Sequence, residues 1–183
     1  MVYSVKADHR GDDGLTDIMG RRMPKDSPPV EFVGEVDELV AVLGIARSLL
    51  NRREDLTDVS RRLKDIQVRL MKVAGYVALG GKGKAAAPVT QSELEELDIE
   101  VQKLWRDLVK KFKFTIPSGP IEATILNYAR AICRRVERRA VKLLKDGVLD
   151  EVTYRYLNRL SDLLYLYVKH VSKILNFSEE YLE

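Results

Sequence analysis

Long apolar runs are missing from this chain, and with them several classes of protein. No hydrophobic stretch approaches the roughly 20 residues that a membrane-spanning helix needs. The opening MVYSVKADHR lacks the apolar core of a secretory signal, so a cytoplasmic protein is expected. One cysteine among 183 residues excludes a framework of intrachain disulfides. Only two histidines are present, His9 and His170, and neither sits in the Glu-x-x-His setting that a di-iron carboxylate bundle requires. An excess of one charge is also lacking. The 31 basic residues are offset by 28 acidic ones, leaving a net +3, which is a weak pointer to nucleic acid.

Helical periodicity is what the chain does have. With 45% hydrophobic residues it can bury one sizeable core, so a single domain over 1–183 is expected. Residues 1–32 carry Gly11, Gly14, Gly20, Pro24, Pro28 and Pro29 without a sustained period and read as an irregular arm; 33–183 read as helices. From Gly34 onward, Leu39, Val42, Leu43, Ala46, Leu49 and Leu50 recur at three- and four-residue steps and mark a first helix. Thr57 or Asp58 is placed to cap a second, striped by Val59, Leu63, Ile66, Leu70, Val73 and Val77 and ending near Gly80 and Gly81. The stretch GGKGKAAAP that follows reads as a mobile connection.

Thr90 with Glu93 has the form of a capping box for a third helix, marked by Leu94, Leu97, Val101, Leu104, Leu108 and Phe112. FTIPSGP breaks the pattern. Pro120 then suits the first turn of a fourth helix that runs to about Lys145, with Ser118 as a candidate cap. A fifth starts near Asp150 and carries Leu157, Leu160, Leu164, Tyr167, Val171 and Ile174. No alternating strand pattern competes, so the expected class is all-α, an up-and-down bundle of about five helices.

The segment YARAICRRVERRAVKLL carries the most chemical information. At about 100° per residue, Arg130, Arg134, Glu137, Arg138 and Val141 share one narrow face beside the apolar stripe of Ala129, Ile132, Cys133, Val136, Ala140 and Leu143; Arg135 and Arg139 point elsewhere. Guanidiniums stacked this way repel one another unless acids or a bound polyanion neutralise them. On the fifth helix, Asn158 and Asp162 lie one turn apart beside the leucines, where polar groups need partners or a ligand. Asp37 sits near the start of the first helix, as a first-turn acid or as the partner of an arginine elsewhere. In the arm, RGDDGLTD offers a glycine loop suited to phosphate, with acids able to steady a hydrated Mg²⁺, and Lys25 within reach.

Taken in order, GDDG, GEVDEL, DIQVRLM, FTIPSG, RAICRRVERR and YLNRLSDLLY resemble the ATP:corrinoid adenosyltransferases of the propanediol-utilisation type over nearly the whole chain. The resemblance implies a ferritin-like bundle assembled as a homotrimer with sites between subunits. It implies that the 5′-deoxyadenosyl group of Mg²⁺-bound ATP moves to the cobalt of a reduced corrinoid such as cobalamin. Carried over by position, Arg10, Gly11, Thr16, Lys25, Arg134, Arg135 and Arg138 would hold the triphosphate. Glu137 and Asn158 would fix arginines and nucleotide, while Asp37 would pair with Arg134 of a neighbouring subunit. Phe114 would crowd the lower face of the corrin, with Ser118 in the same loop.

No residue is assigned to a metal. A corrinoid reductase and a B12-dependent acceptor enzyme are the implied partners; nucleic acid and membrane are not. The chain departs from the family where Asp8 and Arg10 replace two threonines of the ATP loop, where Val40 and Ala41 replace a polar pair, and at Asn127, where a histidine is common. A non-catalytic carrier or sensor of corrinoid or nucleotide is therefore the alternative.

Overall fold

The computed structural model describes residues 9–110 and 114–182; Asp8 and Phe112 lie outside them. Five helices form where the apolar stripes predict them: α1 (Pro28–Leu50), α2 (Thr57–Ala78), α3 (Gln91–Leu108), α4 (Ile121–Lys145) and α5 (Glu151–Ile174). α1 packs between α2 and α4, and α5 packs between α4 and α3, so α4, which bears the arginine row, lies between α5 and the Asp37-bearing α1. Phe32, Leu43, Leu63, Leu97, Leu126 and Leu160 meet in one core, each wholly buried. At about 1.5–3 kcal/mol per such side chain, this shared burial outweighs any single polar contact described below.

The helix ends follow local rules with instructive exceptions. Thr90 and Glu93 close the capping box that starts α3, and Asp150 accepts from the Thr153 N–H to start α5. α1 begins six residues before Gly34, because Pro28 and Pro29 occupy the first turn, where the missing N–H is no loss. Neither Thr57 nor Asp58 caps α2: Thr57 is already its first residue, and Leu56 stands at the cap without a side-chain bond. Ser118 does not cap α4 either, since its hydroxyl donates to the Ile116 carbonyl at 3.3 Å and Pro120 holds the cap position.

The glycine connection after α2 is anchored rather than free. Gly81 has φ +76°, and a Cβ there would lie 2.0 Å from the Val148 carbonyl oxygen, so only glycine lets this turn dock on the α4–α5 corner. Lys82 then donates its N–H to that same carbonyl at 2.9 Å.

Two small antiparallel ladders were not expected. β1 (Leu15–Ile18) and β2 (Arg21–Pro24) make a hairpin of the arm, turning through Met19 and Gly20, both at positive φ. Arg21 ties the hairpin to the end of α2 by donating to the Ala78 carbonyl at 2.7 Å. β3 (Thr115–Ile116) pairs with β4 (Glu180–Tyr181), which brings the end of the chain onto the Phe114 loop. Among the described residues no helix is long and apolar enough to cross a membrane.

Candidate active site: an arginine-edged cavity between α4 and α5

α4 presents its arginines on two faces with opposite fates. Arg139 pairs with Glu31 at 3.0 Å and Glu35 at 3.1 Å, while Arg135 pairs with Glu38 and lies 3.7 Å from Glu35. These contacts bind α4 to α1. Arg135, expected with the triphosphate ligands, is thus turned away from the others and occupied by acids of its own chain. The other face looks towards α5. Arg130 and Arg134 line a cavity of about 380 Å³ there, whose remaining wall includes Phe114, Ser118, Asn127, Asp162 and Tyr165. Arg138 is exposed one turn further on and donates to the Arg134 carbonyl at 3.1 Å.

Electrostatics inside this cavity are unbalanced in a way the α1 side is not. Burial first, then the neighbouring Arg134 charge, pulls Arg130 below the usual guanidinium value; its Nε donates to the neutral Asn127 Oδ1 at 2.8 Å. Asp162 is pushed above the ordinary aspartate value by burial, a rise that Arg159 and Arg134 only partly offset. Glu137 accepts from the Tyr154 hydroxyl at 3.0 Å. Asn158 is half-buried on α5, one turn before Asp162, and its carbonyl accepts from Ser161 at 3.0 Å. Cys133 lies behind this wall, wholly buried, its thiol pushed far up by desolvation and so inert. Phe114 is 71% exposed at the cavity mouth, an unusual place for phenylalanine.

The arm is ordered differently from the expected phosphate cradle. The N–H groups of Asp12, Gly14 and Leu15 are spent on His9 O, Gly11 O and Asp13 Oδ1, at 3.0, 3.3 and 3.0 Å. Lys25 donates to the Gly11 carbonyl at 2.6 Å, and Arg22 bridges Asp13 and Asp17. Hydrogen bonds from the Leu15 N–H and Arg22 hold Asp13 below the usual carboxylate value. Arg10 reaches Asp17 at 3.4 Å, and Thr16 is half-buried in β1 opposite Met23. Asp37 is exposed on α1, on the face shared with Gly34, Ala41 and Ile45, and no ion pair joins it to Arg134 among the described residues.

The structure therefore brings Arg134, Phe114 and Ser118 to one cavity, and sets Arg138, the arm residues and Asp37 outside its lining within a single chain. Trp105, Tyr165, Phe177 and Glu179 also line the cavity and were missed. Tyr165 had a usable signal: it lies three residues beyond Asp162, on the same helical face. Among the described residues no group of three His, Cys, Asp or Glu side chains is placed to hold a metal ion.

An all-helical bundle whose one cavity wall mixes guanidiniums with exposed aromatics defines a class, a binding protein for a ligand that is partly anionic and partly flat and apolar. Comparison with known proteins names it. The cobalamin adenosyltransferase family model matches residues 7–171, and the chain belongs to that family. A corrinoid adenosyltransferase of Bacillus subtilis is 36% identical over 152 residues, covering 83% of this chain and 78% of that one. The human corrinoid adenosyltransferase MMAB is 31% identical over 168 residues, covering 88% and 66%. In structure, a variant PduO-type ATP:corrinoid adenosyltransferase from Lactobacillus reuteri, complexed with cobalamin and ATP, superimposes with a TM-score of 0.85 at 25% identity, covering 96% and 98%. Another variant, complexed with ATP, gives 0.86 at 25% identity over 97% and 100%.

Proposed function

We propose that this protein transfers the 5′-deoxyadenosyl group of ATP to the cobalt of a reduced corrinoid, forming adenosylcobalamin and triphosphate. The observation that carries the reading is one cavity lined by Arg130 and Arg134, with Arg138 exposed one turn beyond, and fronted by the exposed Phe114, in a chain of this family. Cobalt(I) attacks the 5′ carbon, a cobalt–carbon bond forms, and the carbon–oxygen bond breaks with its electron pair leaving on triphosphate. The protein's task is to align the two reactants and to stabilise that departing charge. Arg134 and Arg138 supply preorganised donors for it. Glu137 and Asn158 flank them and set their orientation, and Mg²⁺ arrives with ATP as part of the substrate.

Arg10, Gly11, Thr16 and Lys25 complete the nucleotide site when the arm closes over the triphosphate. Lys25 must then exchange the Gly11 carbonyl for a phosphate oxygen, and a charge-assisted bond to phosphate is the stronger of the two. Phe114 covers the lower face of the corrin and keeps an axial ligand off cobalt(II), which makes reduction to cobalt(I) easier; Ser118 borders the same face. Arg135 is left out of this set, since it is held by Glu38 and Glu35.

A homotrimer is part of the proposal. It is supported by α1, which buries one face in the core yet exposes Ile45 and Ala41 beside Asp37, and by Ile121 and Tyr128 exposed on α4. Asp37 of one subunit would meet Arg134 of the next. A single domain, a cytoplasmic location, a corrinoid reductase and a B12-dependent acceptor enzyme complete the reading. The test is direct: purified protein with ATP, Mg²⁺ and chemically reduced cobalamin should yield adenosylcobalamin and triphosphate. Absence of product while ATP is bound would defeat it.

A further inference from the structure

The outer wall of the cavity is the end of the chain itself. β4 pairs with β3, and the Leu182 N–H donates to the Phe114 carbonyl at 2.9 Å, so the tail holds the loop on both sides of Thr115 and Ile116. The Phe177 ring closes over Gly119, which has φ +102°; a Cβ there would stand 2.5 Å from a ring carbon. A ladder two residues long cannot hold a tail by itself. The anchor is an ion pair: Lys169 on α5 donates to Glu179 Oε2 at 2.6 Å, with only 10% and 17% of the two side chains exposed.

The Tyr181 hydroxyl donates to that same carboxylate oxygen at 3.2 Å. The Lys169 ammonium also lies 5.1 Å from the centroid of the Tyr165 ring, so one charge touches both the tail and the cavity wall. Burial alone would lower the Lys169 pKa, but the bond and charge of Glu179 overcome that and hold it above the ordinary lysine value. Parting the pair would leave a largely buried ammonium without its acid, which strengthens the hold of these few contacts on the tail.

We propose that Lys169 and Glu179 are positioning residues for the corrinoid: their ion pair latches residues 177–182 across the cavity and so fixes where Phe114 meets the corrin ring. The inference rests on the adenosyltransferase reading. It also concerns a part of the chain that the arginine row does not touch.

Lys169→Met, Glu179→Gln and the double variant, each in the full chain, test it through three readouts. These are KM for cobalamin and for ATP separately, amide hydrogen exchange at Ile116 and Leu182, which face each other's strand, and quenching of Trp105 fluorescence by added hydroxocobalamin. Trp105 is the single tryptophan of the sequence and lines the cavity, so this last signal needs no turnover.

Each single variant should weaken corrinoid binding and raise its KM roughly tenfold, leave the ATP KM unchanged and speed exchange at both amides. The double variant should be no worse than either single, because the pair acts as a unit. Unchanged corrinoid affinity, equal weakening towards both substrates, additive effects or unchanged exchange would each overturn the latch. Glu179 lies outside the bundle, so Glu179→Gln decides the matter even if Lys169→Met does not fold. A wild type that quenches with hydroxocobalamin yet makes no product sinks the activity and leaves the latch to be judged by quenching and exchange.

Discussion

The two arginine faces of α4 have the same residue type on the same helix, yet they are built for different ends. Towards α1, Arg135 and Arg139 meet Glu31, Glu35 and Glu38, a set of acids that more than neutralises them. Towards α5, Arg130 and Arg134 share a cavity with Asp162, whose own charge burial disfavours. One face is satisfied by its own chain and serves the fold. The other is short of negative charge within the chain, and in the proposed function the triphosphate of ATP supplies it. The contrast teaches that a run of arginines is read by counting the acids packed against each face, not by counting arginines.

The sharpest way to break that contrast is to truncate one arginine on each side. Arg134→Ala or Arg138→Ala should lower kcat/KM roughly 100- to 1,000-fold, the usual loss when a donor to developing charge is removed. Arg139→Ala should leave turnover within about twofold and cost at most about 1 kcal/mol of stability, as half-exposed ion pairs do. Steady-state assays and thermal melts check both. Phe114→Ala comes next: turnover from cobalt(II) with a reductant should fall roughly 100-fold, while turnover from pre-reduced cobalt(I) falls far less. Equal losses in the two assays would remove Phe114 from the reduction step.

Smaller effects sharpen the picture. Asp37→Ala should lower turnover roughly tenfold and weaken the proposed trimer in sedimentation, since in that proposal it leaves a neighbouring subunit's Arg134 without its acid. Normal values for both would make Asp37 an ordinary first-turn acid. Asp162→Asn should raise the melting temperature slightly at neutral pH. Burial lifts the Asp162 pKa in the fold above its unfolded value, so the charged form costs stability at neutral pH. That cost vanishes as pH falls through the folded value and the wild type takes up a proton, so the gap between variant and wild type should close in acid.

How much of this was legible beforehand depends on whether a residue's role is written in its neighbours along the chain. The helices were, because stripes such as Val59, Leu63, Ile66 and Leu70 repeat within two turns. The split of the arginine row was half legible: 100° geometry separated Arg135 and Arg139 from Arg134 and Arg138, but only the packing of α1 on α4 revealed the acids that occupy them. The arm hairpin left no alternation to read, since neither of its faces is fully buried, although Met19-Gly20 sits where a tight two-residue turn falls. The start of α1 was hidden by two prolines that look like breakers yet suit a first turn.

The tail was the least legible part. Its contact with the Phe114 loop joins residues more than sixty positions apart, and nothing local in FSEEYLE announces a partner.

The central claim is tested most directly by calorimetric titration of Mg²⁺-ATP into Arg138→Ala and Arg139→Ala side by side. The account predicts that Arg138→Ala loses affinity roughly tenfold or more while Arg139→Ala binds like the wild type. Equal affinity in the two variants, or a loss confined to Arg139→Ala, would contradict it.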